Sequence, residues 1–113
     1  LERCEPAFQH YPAAQLPLWQ QGPVALRVLI GTVNALTSPV TLPSATLYAD
    51  LQLQAAGRCE LHAAYAERAL YVAQGQLQLN GQPLAAGELA LVPAELPLQI
   101  VSAEPARAML LGG

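Results

Sequence analysis

The sequence predicts an all-β domain, a sandwich or barrel of many short strands, on three observations. Apolar and polar residues alternate with period two far more often than they recur at helical spacing. The alternating runs are separated by Gly, Pro or Asn-Gly at intervals of about a dozen residues or fewer. The ten prolines fall mainly between these runs or at their edges, where a missing N–H does least harm.

The elements follow in chain order. Residues 1–23, with "EPAFQHYPAAQLPLWQQGP", read as an extended arm that covers a sheet. Phe8, Tyr11 and Trp19 give that arm something to bury, which a disordered linker lacks. Residues 24–113 read as the barrel itself. "VALRVLI" opens it, and "TLYADLQLQ" is the clearest strand, with Leu47, Ala49, Leu51 and Leu53 on one face and Tyr48, Asp50, Gln52 and Gln54 on the other. Further strands are expected at "RCELHA", "RALYVA", "QLQLN", "ELALV", "PLQIV" and "ARAMLL". Asn80 and Gly81 both accept the positive φ of a type I′ turn, so Gln76 to Leu84 reads as a two-residue hairpin.

Composition excludes several classes. A chain of 113 residues suffices for one domain that buries roughly 65% of the surface its unfolded form exposes. Although 53% of the residues are hydrophobic, no apolar run approaches the ~20 residues of a membrane-spanning helix. The net charge is -3 and all five basic residues are arginines scattered along the chain, so the basic stripe of a direct nucleic-acid binder is absent. Cys4 and Cys59 lack CxxC or Cys/His spacing, and "LERCE" lacks the pattern of a secretory signal. Reduced thiols in a cytoplasmic protein are expected.

The second half carries a strand ending in "YVAQG", an Asn-Gly hairpin and then "LAAGELALVP". This order resembles a cupin, a jelly-roll barrel or double-stranded β-helix whose two sequence motifs deliver metal ligands into its interior; Gly87 and Pro93 have the spacing of the second motif. Over the whole chain, "EPAFQHYPAAQLP", "LRVLIG", "SPV", "PSATLYADLQLQAAGRCEL", "ERALYVAQGQLQLNGQPLAAGELALV" and "PARAMLLGG" resemble, in that order, the C-terminal half of pirin-family proteins. The resemblance implies a cupin barrel that in full-length pirins packs beside an N-terminal one, where iron is held by three histidines and a glutamate. It also implies the family's association with transcriptional co-regulation and, in some members, quercetin 2,3-dioxygenase activity.

Mapped by this resemblance, the cupin ligand positions fall on His62, Ala64, Arg68 and Leu98. Only His62 is a donor of the right kind, and a metal needs about three converging donors. Arg68 puts a permanent positive charge where a carboxylate should help. Counted instead from Gly57, the histidine positions fall on Ala63 and Tyr65, and none survives. Strand parity groups His62 with Arg58 and Glu60 on the polar side, opposite Cys59, Leu61 and Ala63, as an ordinary strand histidine would be. His10 reads as a surface histidine, Glu67 and Arg68 as a solvated strand end, Glu88 as a turn residue and Cys59 as a buried structural thiol.

These readings lead to a metal-free, non-catalytic scaffold that forms a homodimer, needs no cofactor and binds neither membrane nor nucleic acid. The alternative is a module for one small apolar or aromatic molecule, its pocket lined by Tyr48, His62, Ala64, Tyr65, Arg68 and Leu98. A second alternative is a metal-dependent dioxygenase in which His10 and His62 meet with Glu60 or Glu67.

Overall fold

The computed structural model describes residues 12–40, 45–54 and 56–113. His10, Cys4, Phe8 and Tyr11 lie outside the described residues.

Strands form at each alternating run expected from the sequence, and Leu18–Gln21, Thr32–Val33 and Leu36–Thr37 add three that alternation does not mark. Strand β1 is Leu18–Gln21, β2 Val24–Ile30, β3 Thr32–Val33, β4 Leu36–Thr37, β5 Leu47–Leu53, β6 Gly57–Leu61 and β7 Arg68–Gln74. After these come β8 Gln76–Leu79, β9 Gln82–Ala85, β10 Leu89–Val92, β11 Leu98–Ser102 and β12 Ala106–Gly112. In β5 the four apolar residues are at most 2% exposed, and each fully buried leucine contributes roughly 2 kcal/mol through the water it leaves. Tyr48, Asp50 and Gln52 face the other way. On that outer face the Arg107 Nε and Nη2 donate to the two Asp50 carboxylate oxygens at 3.1 and 3.0 Å, tying β12 to β5.

Two antiparallel sheets share one core. The larger has the order β1-β2-β5-β12-β7-β10, the smaller β6-β11-β8-β9, and β3 and β4 form a separate ribbon. Leu26, Leu51, Leu70 and Leu110 from the larger sheet meet Leu61, Leu77, Leu98 and Ile100 from the smaller. The chain passes from one sheet to the other at Gly75, φ +78°, where an added Cβ would run into the Pro105 carbonyl oxygen. Only glycine fits there. Asn80 and Gly81, φ 50° and 82°, make the expected hairpin turn.

The expected closed jelly-roll barrel is corrected by this topology. Closure needs hydrogen bonding to continue around the whole circumference. Here β1 pairs only with β2 and β10 only with β7, while β6 pairs only with β11 and β9 only with β8. Neither sheet closes on itself, so the fold is an open, cupin-like pair of sheets packed face to face. Part of the expected arm also belongs to a sheet. Leu18–Gln21 pairs with β2 across Gly22, and Trp19 packs on the core. Only a single 3-10 turn, Ala13–Gln15, precedes it among the described residues.

Candidate functional site

The β3–β4 ribbon is the local feature on which the site depends. Its turn residues Asn34 and Ala35 have φ 49° and 68°. Asparagine tolerates that region and alanine rarely enters it, so tertiary contacts must hold it. Asn34 supplies them: its N–H donates to the His62 carbonyl at 2.9 Å, its side-chain amide donates to the Glu60 carbonyl at 3.1 Å, and its Oδ1 accepts from His62 N–H at 2.6 Å. Tyr65 fixes the other end of the ribbon. Its hydroxyl accepts from Thr32 N–H at 2.9 Å, and it presses on Gly31, where a Cβ would collide with it.

Between this ribbon, the segment after β6 and the β10–β11 loop lies an open cleft of about 720 Å³. Its walls are largely small or apolar, with Ala63, Ala64, Tyr65 and Leu96 prominent, and Arg68 stands at the inner end. Ala64 is exposed, Tyr65 half-buried and Ala63 buried. His62 stands at the rim with its side chain 62% exposed, and its Nε2 lies 2.7 Å from Glu60 Oε2.

Arg68 differs most from its sequence reading. It is not part of a solvated strand end: it shares the inward parity of Leu70 and Val72 and is 3% exposed. Nη1 donates to the Ala63 carbonyl at 3.3 Å, and Nη2 donates to the carbonyls of Pro93 and Leu96. The guanidinium thus joins the start of β7 to the loops on either side of the cleft. Its Nε is buried without a hydrogen-bond partner. Among the described residues no carboxylate forms an ion pair with it.

The other sequence-predicted positions disperse. Leu98 is fully buried, in register with Leu61, and sits in the core instead of in the cleft. Tyr48 is on the outer face of the larger sheet, opposite Leu111, which removes it from the pocket. Cys59 is half-buried, and burial pushes its thiol up to about 11, far from a nucleophile's range. Glu88 holds the turn before β10 by accepting from Ala85 N–H at 2.7 Å. Nothing in the pattern of alternation marks Thr32, Asn34 or Leu96 as part of a site. Asn34, an asparagine between short apolar runs, was the one available signal.

The four residues at the cupin ligand positions therefore do not make a ligand set. One is an exposed histidine facing Glu60, one an alanine, one a buried cation on three carbonyls and one a core leucine. Among the described residues no three His, Cys, Asp or Glu side chains gather as metal ligands would.

The two-sheet fold and a cleft beside the histidine segment define a cupin-like domain. The chain belongs to the pirin family, for residues 48–113 match the model of the pirin C-terminal cupin domain. It is 29% identical over 113 residues to a pirin-like protein of Caulobacter vibrioides, covering 99% of this chain and 39% of that protein. A Pseudomonas aeruginosa protein provisionally named a quercetin 2,3-dioxygenase is 36% identical over 110 residues, which cover 96% of this chain and 34% of the relative. A crystal structure of quercetin 2,3-dioxygenase from Acinetobacter baumannii superimposes with a TM-score of 0.81 at 20% identity, over 93% of this chain and 38% of that one. The chain therefore spans well under half the length of these relatives.

These relatives overturn two expectations. The expectations of a non-catalytic and of a metal-free domain rest on the cupin ligand positions of this chain alone. A relative 36% identical instead bears the quercetin 2,3-dioxygenase name, solved structures so named share the fold, and the chain corresponds to only about a third of each. The residues at 62, 64, 68 and 98 thus do not decide the chemistry of the group. No helix among the described residues is long and apolar enough to cross a membrane.

Proposed function

We propose that this single domain binds one small, largely apolar or aromatic molecule in the cleft between the His62–Tyr65 segment and the β10–β11 loop. The observation that carries the reading is the cleft itself. It offers about 720 Å³, within the range of small-molecule sites, and alanines at 35, 63, 64 and 94 form much of its wall. His62, Ala64, Tyr65 and Arg68 supply its polar and small contacts. A titration of the isotope-labelled chain with quercetin, a planar aromatic probe, tests it by NMR. Saturable shifts confined to residues 62–68 and 94–97 are expected; unsaturable or scattered shifts overturn the reading.

In a longer protein the domain would serve a dioxygenase of the quercetinase type, a reading favoured by the names of the Pseudomonas and Acinetobacter proteins. Cytoplasmic localisation goes with this proposal. As a separate chain the domain forms a homodimer through the outer face of the larger sheet, where Tyr71, Leu89, Leu91 and Leu111 are 38%, 54%, 80% and 36% exposed. These residues are neighbours: Leu89 is opposite Tyr71 across β10 and β7, while Leu91 and Leu111 flank Ala69. A second copy related by a two-fold axis would cover the patch with its own counterpart. Light scattering at micromolar concentration should show the dimer, and a monomer there contradicts it.

A further inference from the structure

The unpaired positive charge at the inner end of the cleft has a consequence for the kind of molecule that enters. Arg68 carries five N–H donors, and three are used, by the carbonyls of Ala63, Pro93 and Leu96. The Nε–H is buried with no partner, and Nη1 makes one bond where it can make two. Carbonyl oxygens stabilise a guanidinium through their dipoles but leave its net charge in place. Burying a cation without a counter-charge is costly, and an anion arriving beside it would recover part of that cost.

The surroundings narrow the class of anion. Arg68 offers a single net positive charge and Glu95 lies on the same wall, so one negative charge is balanced there and a phosphate dianion is disfavoured. Alanines, Tyr65 and Leu96 line the rest of the cleft and suit an apolar ring. Glu95 is the carboxylate on the cleft wall; it makes no ion pair with Arg68, and it repels an incoming anion. Glu67 is not on the cleft wall; it lines, with Arg68, Ala69, Leu91 and Leu111, a second groove.

We propose that the cleft takes a small aromatic carboxylate, with the ring against Tyr65 and Leu96 and the carboxylate toward Arg68. This rests on the small-molecule reading of the same cleft and adds the sign and number of its ligand's charges.

Benzoate and benzamide test it, since they share a ring and differ in charge. In NMR titrations of the labelled chain, benzoate is expected to shift the amides of residues 63–68 and 94–96 saturably. Benzamide should bind at least about tenfold more weakly, the effect of one contact worth ~1.4 kcal/mol. Glu95→Gln should tighten benzoate about threefold by removing a rim charge and leave benzamide unchanged. Arg68→Met, checked for a dispersed spectrum, should abolish the preference; if it does not fold, the Glu95→Gln comparison decides. Benzamide binding in the cleft as tightly as benzoate, or Glu95→Gln without effect on benzoate, overturns the charge assignment while the cleft reading stands. Neither probe shifting the cleft amides, together with no response to quercetin, overturns both.

Discussion

Replacing Arg68 by Met removes the guanidinium while retaining a side chain of similar length, and the consequence follows from its partners. In an ion pair, apolar substitution of both members can be neutral or stabilising because two desolvated charges disappear together. Here the partners are the backbone carbonyls of Ala63, Pro93 and Leu96, which no side-chain change removes. A hydrogen bond from a charged donor is worth about 1.5–3 kcal/mol, so three of them set a gross loss of roughly 4–9 kcal/mol. Two effects offset it: the buried charge with its unpartnered Nε is relieved, and Pro93 and Leu96, being exposed, can turn their carbonyls to water. We expect a net destabilisation of about 2–3 kcal/mol, a large fraction of the 5–15 kcal/mol typical of a domain. Urea unfolding with an unchanged m-value measures it, and amide exchange should rise first at residues 63–68 and 94–96. Arg68→Lys, with a charge but no planar fork, should fall between. An Arg68→Met protein as stable as the parent, or more stable, would refute the view that the guanidinium holds the two loops together.

Three further outcomes follow from the same geometry. Gly75→Ala should cost more than 2 kcal/mol, because a positive φ and the Pro105 carbonyl both oppose a Cβ, whereas Gly81→Ala, with nothing within 4 Å, should cost only about 1 kcal/mol from its φ; chemical denaturation of the pair checks the contrast. Tyr65→Phe removes the acceptor of Thr32 N–H and should destabilise by about 1 kcal/mol, with faster hydrogen exchange at Thr32 as its local signature. In a Cys4→Ser background, Cys59 should react with iodoacetamide at pH 8 roughly a hundredfold more slowly than a free thiol, because its thiolate is suppressed. With the folded thiol raised from 9.0 to about 11, its stability contribution is complete below pH 9 and is lost as pH rises through about 11. Partial exposure limits that contribution to about 1 kcal/mol, read from denaturation curves at pH 8 and 11.

Alternation and turn chemistry are enough to assign which residues face inward and where the chain turns. Alternation in Leu47–Leu53 fixes the buried side of β5, because successive side chains in a strand must point to opposite faces. Asn80-Gly81 determines a hairpin because those two residues enter positive φ at low cost. The family was equally legible, carried by the order of strands and glycines from "PSATLYADLQLQ" to "PARAMLLGG". What surrounds each inward face was settled only by tertiary structure. Whether edge strands meet is a long-range matter of register, so alternation that suits a closed barrel also suits the two open sheets observed. Ala35 turns at φ 68° without a local propensity for it, since Asn34 anchors the ribbon to Glu60 in β6 and to His62 just after it, 26 and 28 residues away. Tyr48 and Tyr65 look alike in sequence, yet one lies on the outer face and the other closes the cleft. Arg68 is the clearest case: a charge beside Glu67 reads as solvated, yet in the interior the converging carbonyls of Ala63, Pro93 and Leu96 take three of its five N–H donors. Backbone carbonyls carry no side-chain signature, so a site built from them becomes visible only when the chain has folded around it.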